Sequence, residues 1–380
     1  IIEFKYSNFM SLLGVVLIVI SIFVFDNTIA TPGIFLLIPT IGAVLVIIFC
    51  QSQSISFKLL GSKTFVYLGL LSYSLYLWHQ PMFAFLRIYS VEHPSSFKFF
   101  GLIPLVFILS YFTWKFIESP FRNRACVSRG LVFTYSVCGS IFFIVVGLYL
   151  NKSYGMASRV FHDGVLVADM DKRIYNERAF KYKKEKFSDT SLTKILILGN
   201  SFARDFVNIT LENFDVTRAQ IIYRDDLEEC IDDHLKEVSN HLFIEADVIV
   251  FAHGDFKRDC YLKDIEFAKN RAKDIFYIGT KNFGYNLNWL IRLDKEQRKN
   301  QFNPIAVSVI LADKEMARAI PSEYYISLLG PTLVKKNIPI TDHAGRMLST
   351  DRIHLTKYGA LFFGKKAIAD TRYADLFKHN

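Results

Sequence analysis

Ile195-Leu-Ile-Leu-Gly199-Asn200-Ser201-Phe202 decides how the second half of this chain is read. A short, fully apolar run ends in Gly-Asn-Ser and leads into helix-like sequence. That is the outline of a buried parallel strand delivering a serine to a strand-to-helix turn. Similar runs at Lys194–Leu198, Ala219–Tyr223, Asp247–Phe251 and Asp274–Ile278 are separated by amphipathic segments such as Leu227–Leu242 and Tyr261–Lys273. The β-α-β rhythm predicts a parallel sheet covered by helices. Chemistry in such sheets sits outside the carboxyl ends of the strands. Ser201, Asp255 and Asn282 follow strand-like runs, and Asp351-Arg-Ile-His354-Leu-Thr-Lys-Tyr-Gly359 lies near the end of the chain.

A serine early in a sheet and a closely spaced Asp/His pair late in it suit nucleophilic acyl chemistry. A serine hydroxyl is a weak nucleophile and needs a base within hydrogen-bond reach. Ser201 is the candidate nucleophile and His354 the candidate base. Asp351, three residues earlier, can orient the imidazole and stabilise its cation. The plainer alternative makes Ser201 a helix cap and His354 a satisfied loop histidine.

The first part of the chain is a different material. The 380 residues are 51% hydrophobic and 15% aromatic, with a mean hydropathy of +0.24, and the excess lies before about Tyr154. Five apolar blocks there can each cross a bilayer, which takes about 20 helical residues: Phe9–Phe25, Ile34–Cys50, Phe65–Ile88, Phe97–Ile117 and Leu131–Leu150. Residues 1–154 hold ten Lys/Arg and four acids, so +6 of the net +9 charge belongs to this half. The bias therefore speaks for membrane loops and against a nucleic-acid surface. Gln51–Lys63 and Glu118–Gly130 carry the basic residues, whereas Asp26–Gly33 and Tyr89–Ser96 carry none. The positive-inside rule makes the first pair cytoplasmic and sends everything after Asn151 to the external face. The chain opens on Ile1 and runs directly into a hydrophobic span with no signal-peptide cleavage pattern. It reads as a fragment lacking upstream membrane sequence.

Polar groups within or at the end of the third span, Ser72-Tyr73-Ser74-Leu75-Tyr76-Leu77-Trp78-His79-Gln80-Pro81, are costly in lipid and face a protein interior or water. The alternative is helix–helix glue with an interfacial aromatic belt. Glu118-Ser119-Pro120-Phe121-Arg122 follows the fourth span, where Pro120 is expected to stop the helix. Together, Leu68-Gly-Leu-Leu-Ser72-Tyr73-Ser-Leu-Tyr76-Leu-Trp78-His79-Gln-Pro81 and Glu118-Ser-Pro120-Phe-Arg122 resemble the C-terminal membrane part of the acyltransferase-3 family. Those are bacterial integral-membrane O-acyltransferases that typically act on surface glycans. Some carry an extra span and an external SGNH-type hydrolase domain, and this layout resembles that fused class. Gly199-Asn200-Ser201 is similar to the first SGNH block, where Gly-Asp-Ser is usual, and Asp351-x-x-His354-Leu-Thr to the last. The family's catalytic histidine and arginine residues lie in first spans that are absent here, so His79 does not inherit that role.

The resemblance implies all-α membrane helices over 1–150, a connector over 151–193 that is extended or partly helical, and an SGNH-like, flavodoxin-like parallel-sheet α/β domain over 194–380. It also implies acetyl-CoA as acyl donor, a polysaccharide acceptor such as lipopolysaccharide O-antigen, a bacterial inner-membrane location and no bound cofactor. SGNH enzymes add oxyanion donors from a Gly after the second strand and an Asn after the third. Here Gly254 stands in the place of that Asn. Candidate donors are the Ser201 and Gly254 N–H groups and the Asn282 amide, although Asn282 also suits a turn. Two other functions suit the same residues: an esterase with water as acceptor, and a glycan-binding domain on a membrane anchor. Cys230 and Cys260 fall in the external part, where a disulfide is allowed, and are expected to pair. Cys50 and Cys138 lie in spans and Cys126 in a cytoplasmic loop. The sequence contains no zinc-like Cys/His spacing, Walker loop or dinucleotide glycine pattern.

Overall fold

The computed structural model describes residues 6–26, 29, 33–52, 54–123, 127–161, 165–188, 191–227, 230–234, 240–254 and 260–378. Asp255 and Cys126 lie outside the described residues. The chain divides into two compact units, Ile1–Ala84 with Ser96–Val137, and Phe85–Ser95 with Cys138–Asn380.

The first unit is helical. Helices form at each expected block: Ser7–Val24, Leu37–Phe49 after a 3₁₀ turn, Lys63–Tyr89, Ser96–Thr113 and, running into the second unit, Arg129–Lys152. Among the described residues, Ser7–Val24, Ser96–Arg122 and Arg129–Lys152 are long and apolar enough to cross a membrane. They mark this as a membrane protein. Ile34–Phe49 is apolar but shorter. Lys63–Tyr89 has the length, and its polar Ser72–Gln80 stretch lowers its hydropathy. Ser7–Val24 and Leu37–Phe49 cross at Gly14 and Gly42, where a Cβ on either would lie 2.6–2.7 Å from the other's carbonyl oxygen. Small residues are what let two backbones approach this closely. Pro120 does not stop its helix. A π-helical turn at Trp114–Glu118 precedes it, and the helix runs on through Ser119–Arg122. The widened turn accommodates a residue with no N–H to donate.

The second unit is built on a parallel sheet. Its strands are β1 (Thr193–Leu198), β2 (Ala219–Arg224), β3 (Val248–Phe251) and β4 (Asp274–Ile278), each within a residue of the sequence-based expectation. β5 (Phe302–Pro304) lies outside the sheet, and β6 (Tyr325–Ile326) joins its edge. β7 (Asn337–Pro339) pairs with β5 in an antiparallel ladder. The sheet order is β2-β1-β3-β4-β6, all parallel. Counted within the sheet this is the doubly wound order 2-1-3-4-5 of flavodoxin-like folds. β6 has two residues, too few for a periodic signal, so the sequence did not announce it.

Alternation explains why the strands are apolar throughout. Ile195 and Ile197 of β1, Val248 and Val250 of β3, and Phe276 and Ile278 of β4 enter one core layer. Leu196 and Leu198, Ile249 and Phe251, and Ile275 and Tyr277 enter the other. A sheet covered on both faces needs apolar residues at both parities. The expected connector is folded into short helices at Val167–Met170, Lys172–Tyr175 and Glu177–Tyr182, and it delivers Met170, Tyr175 and Ala179 to the first layer.

Cys230 and Cys260 form a disulfide across a sequence separation of 30. We expect thiol titration of the denatured, unreduced chain to find two fewer thiols than after reduction. Cys260→Ser should lower stability by about 3 kcal/mol in denaturant unfolding.

Candidate active site

β1 ends at Leu198, and the chain turns at Gly199, whose φ is 134°. A Cβ there would lie 2.4 Å from the Ala252 carbonyl oxygen at the end of β3, so glycine is required. Asn200 caps the following helix, Ser201–Asn213: its Oδ1 accepts from Phe202 N–H at 2.9 Å, and its Nδ2 donates to the His253 carbonyl at 3.2 Å. Asn200, not Ser201, is therefore the cap, and it ties the β1 turn to the β3 turn. Ser201 is the first helical residue and is half-buried.

The Asp351–His354 segment forms a tight local structure. Asp351 Oδ1 accepts from the Ile353 and His354 N–H groups at 3.1 and 2.9 Å, and Asp351 Oδ2 lies 2.5 Å from His354 Nδ1. Lys172 Nζ of the connector lies 3.0 Å from the same Oδ2. Burial alone would raise the Asp351 pKa. The hydrogen bonds from the His354 side chain and backbone, from Ile353 and from Lys172 outweigh it and hold this carboxyl well below the usual range. An imidazole held at Nδ1 by a carboxylate presents Nε2 as its free position.

Asp205 joins this segment to the serine. It lies one turn beyond Ser201 on the same helix and is 1% exposed. Its Oδ2 accepts from Leu355 N–H, the residue after His354, at 3.2 Å. Its Oδ1 accepts from Asn176 Nδ2 at 2.6 Å, and that amide also lies 3.2 Å from the Ser201 carbonyl oxygen. Lys281, 1% exposed, completes the cluster with Nζ 2.9 Å from Asp205 Oδ2. This is an ion pair by distance, with an angle outside the hydrogen-bond range. The ammonium also sits 3.5 Å from the centre of the Phe202 ring. Burial pushes the Lys281 pKa down, and Asp205 counters it.

The candidate oxyanion donors gather around the same loops. Gly254 lies against the Phe202 ring. Asn282 Oδ1 accepts from Gly284 N–H at 2.8 Å, the turn role that its sequence context suggested, and Phe283 N–H donates to the Arg352 carbonyl at 2.8 Å. The turns after β1, β3 and β4 and the Asp351–His354 segment thus converge at the carboxyl end of the sheet. Among the described residues, Ser201 Oγ has no hydrogen bond to His354.

In the helical unit the two quoted motifs touch. Ser74 Oγ donates to Glu118 Oε2 at 3.1 Å, Glu118 Oε1 pairs with Arg122 at 2.6 Å, and Trp78 Nε1 donates to Thr113 Oγ1 at 2.8 Å. Ser72 Oγ and His79 Nδ1 bond backward to the Gly69 and Leu75 carbonyls of their own helix, and Tyr73 and Tyr76 are exposed.

Sequence reading missed Asp205, Lys281, Asn176 and Lys172. Asp205 carried one usable signal, its four-residue spacing from Ser201, which puts both on one helix face. Lys281 and Asn176 carried none, because a buried partner is visible only once the loops meet.

A 68-residue stretch of the chain is 35% identical to proteins of Staphylococcus aureus strains COL, MSSA476 and MRSA252, each described as "Putative O-acetyltransferase". The match takes in 18% of this chain and 11% of each relative, so the chain spans a small part of their length. No family model and no solved structure matches the chain.

Two predictions follow from the cluster. Asp205→Asn leaves the Lys281 ammonium buried without its counter-charge and should destabilise the protein by about 3–5 kcal/mol in denaturant unfolding. The depressed Asp351 pKa adds stability that is fully present above the unfolded value of about 3.9 and lost as pH falls through the folded value. Asp351→Asn should therefore flatten the acid side of the stability–pH curve.

Proposed function

We propose that this chain is part of a bacterial inner-membrane O-acyltransferase that acetylates a cell-surface or exported polysaccharide such as lipopolysaccharide O-antigen. The observation that carries the reading is the Asp351–His354 pair fastened through Asp205 to the helix that opens with Ser201. The likeness to O-acetyltransferases and the apolar helices agree with it.

In this reading the multi-pass helical unit, with its Ser74–Glu118–Arg122 contact, accepts an acetyl group from cytoplasmic acetyl-CoA and passes it outward. The α/β unit, of SGNH type, lies on the periplasmic or extracellular side. Ser201 Oγ attacks the acyl carbonyl while His354 Nε2 takes the hydroxyl proton and returns it to the leaving group. A sugar hydroxyl then attacks the acyl-serine, His354 accepts its proton, and the regenerated serine recovers it. Asp351 stabilises the imidazolium in both halves. The Ser201 and Gly254 N–H groups and the Asn282 amide are the candidate donors to the oxyanion, where each is worth about 10²–10³ in rate.

Ser201→Ala in the complete protein should lower glycan acetylation by about 10⁴-fold or more with normal expression. Unchanged acetylation overturns the mechanism. Free acetate accumulating in place of acetyl-glycan makes the protein an esterase. A Ser201 unreactive toward a fluorophosphonate probe, with sugar binding retained, makes it a glycan-binding domain.

A further inference from the structure

Phe85–Ser95, the last helical residues of Lys63–Tyr89 and the loop after them, belong to the same compact unit as the sheet. Asn286, 6% exposed, fastens this segment: its Nδ2 lies 3.1, 2.8 and 2.6 Å from the carbonyl oxygens of Arg87, Ile88 and Ser90. Arg87 and Ile88 lie in the last turn of the helix and Ser90 just beyond it, and the Arg87 carbonyl also accepts from Ser90 N–H at 3.3 Å. Arg292 donates to the Tyr89 carbonyl at 3.1 Å and covers the Tyr89 ring at 4.0 Å. Between the fastened segment and the loop that carries Asp351 lies an open cavity of about 200 Å³. Arg87, Tyr285, Asn288, Thr350, Asp351 and Arg352 line it.

Two features of this cavity point to a ligand. The first is its charge. Asp351, the acid that lines it, is already engaged by His354 and Lys172, and among the described residues Arg352 has no ion pair. The second is Arg352 itself. Its φ is 97°, a left-handed backbone conformation that residues other than glycine resist. Glycine would fit that backbone without strain, and yet an arginine stands there. Its Nε donates to the Gly284 carbonyl at 2.7 Å, and its guanidinium lies 5.4 Å from the Tyr285 ring centre. Among the described residues, neither Nη atom of Arg352 has a hydrogen-bond partner. A guanidinium oriented at Nε and open at both Nη atoms suits a carboxylate or phosphate.

We infer that this cavity is the acceptor subsite and that it takes a hydroxylated sugar unit bearing a carboxylate or phosphate. Arg352 holds the anion, and Asn288 and Thr350 face the hydroxyls. The inference deepens the acceptor side of the acyl-transfer reading and rests on it for the name acceptor, whereas binding itself does not need catalysis.

The test is equilibrium binding of the full detergent-solubilised chain to three probes: an oligogalacturonide, a glycerol-phosphate oligomer and a neutral cello-oligosaccharide. Wild type should bind at least one anionic probe about tenfold tighter than the neutral one. The tighter of the two identifies carboxylate or phosphate as the natural group. Arg352→Gly, whose backbone suits φ 97°, should keep the thermal midpoint and lose the preference, and Arg352→Lys should keep part of it. Equal binding of all three probes by wild type, or a preference that survives in a folded R352G, overturns the inference. Fluorophosphonate labelling of Ser201 runs in parallel. A failed label with the binding preference intact removes the acyl-transfer reading and leaves the anion subsite standing.

Discussion

The buried carboxylate of Asp205 is the constraint on which the rest of the candidate site depends. Four segments distant in sequence meet at it: the serine helix, the connector through Asn176, the loop after β4 through Lys281, and the residue after His354. A carboxylate 1% exposed is tolerable only when its charge and its lone pairs are met. Asp205 therefore compels those segments to one arrangement. A buried ion pair is weak evidence for net stability, because desolvation offsets the attraction. Its value here is geometric: the His354 backbone is bonded, one residue on, to the helix that starts with Ser201.

The sheet supplies the frame for that cluster. Parallel strands end together at one edge, so the turns after β1, β3 and β4 leave from neighbouring positions. Asn200 bonds across from the first turn to the second, and Phe202 is held between Gly254 and Lys281. The turns brace one another through short polar contacts and one aromatic ring, and the candidate oxyanion donors sit within that brace.

Two readings of the helical half needed the third dimension. Pro120 carries the usual stop signal, yet a π turn immediately before it lets the helix continue. The polar residues Ser74 and Trp78 were open to either a cavity or a helix-contact role. Their bonds to Glu118 and Thr113 make them contacts between helices, as expected where unmet polar groups are costly.

The sequence by itself determined the material of each half. Apolar block length announced the membrane helices, and two-parity apolar runs announced a covered parallel sheet, because periodicity and length are local properties. It also delivered the Asp351–His354 pair, whose three-residue spacing needs no distant partner. Only the tertiary structure decided what holds that pair to Ser201, and that Arg352 adopts a glycine-like backbone. Asp205, Asn176 and Lys281 are separated by up to 105 positions in the chain. A buried charge has no signature until its partner is known, since burial and pairing are created together when the segments close on one another.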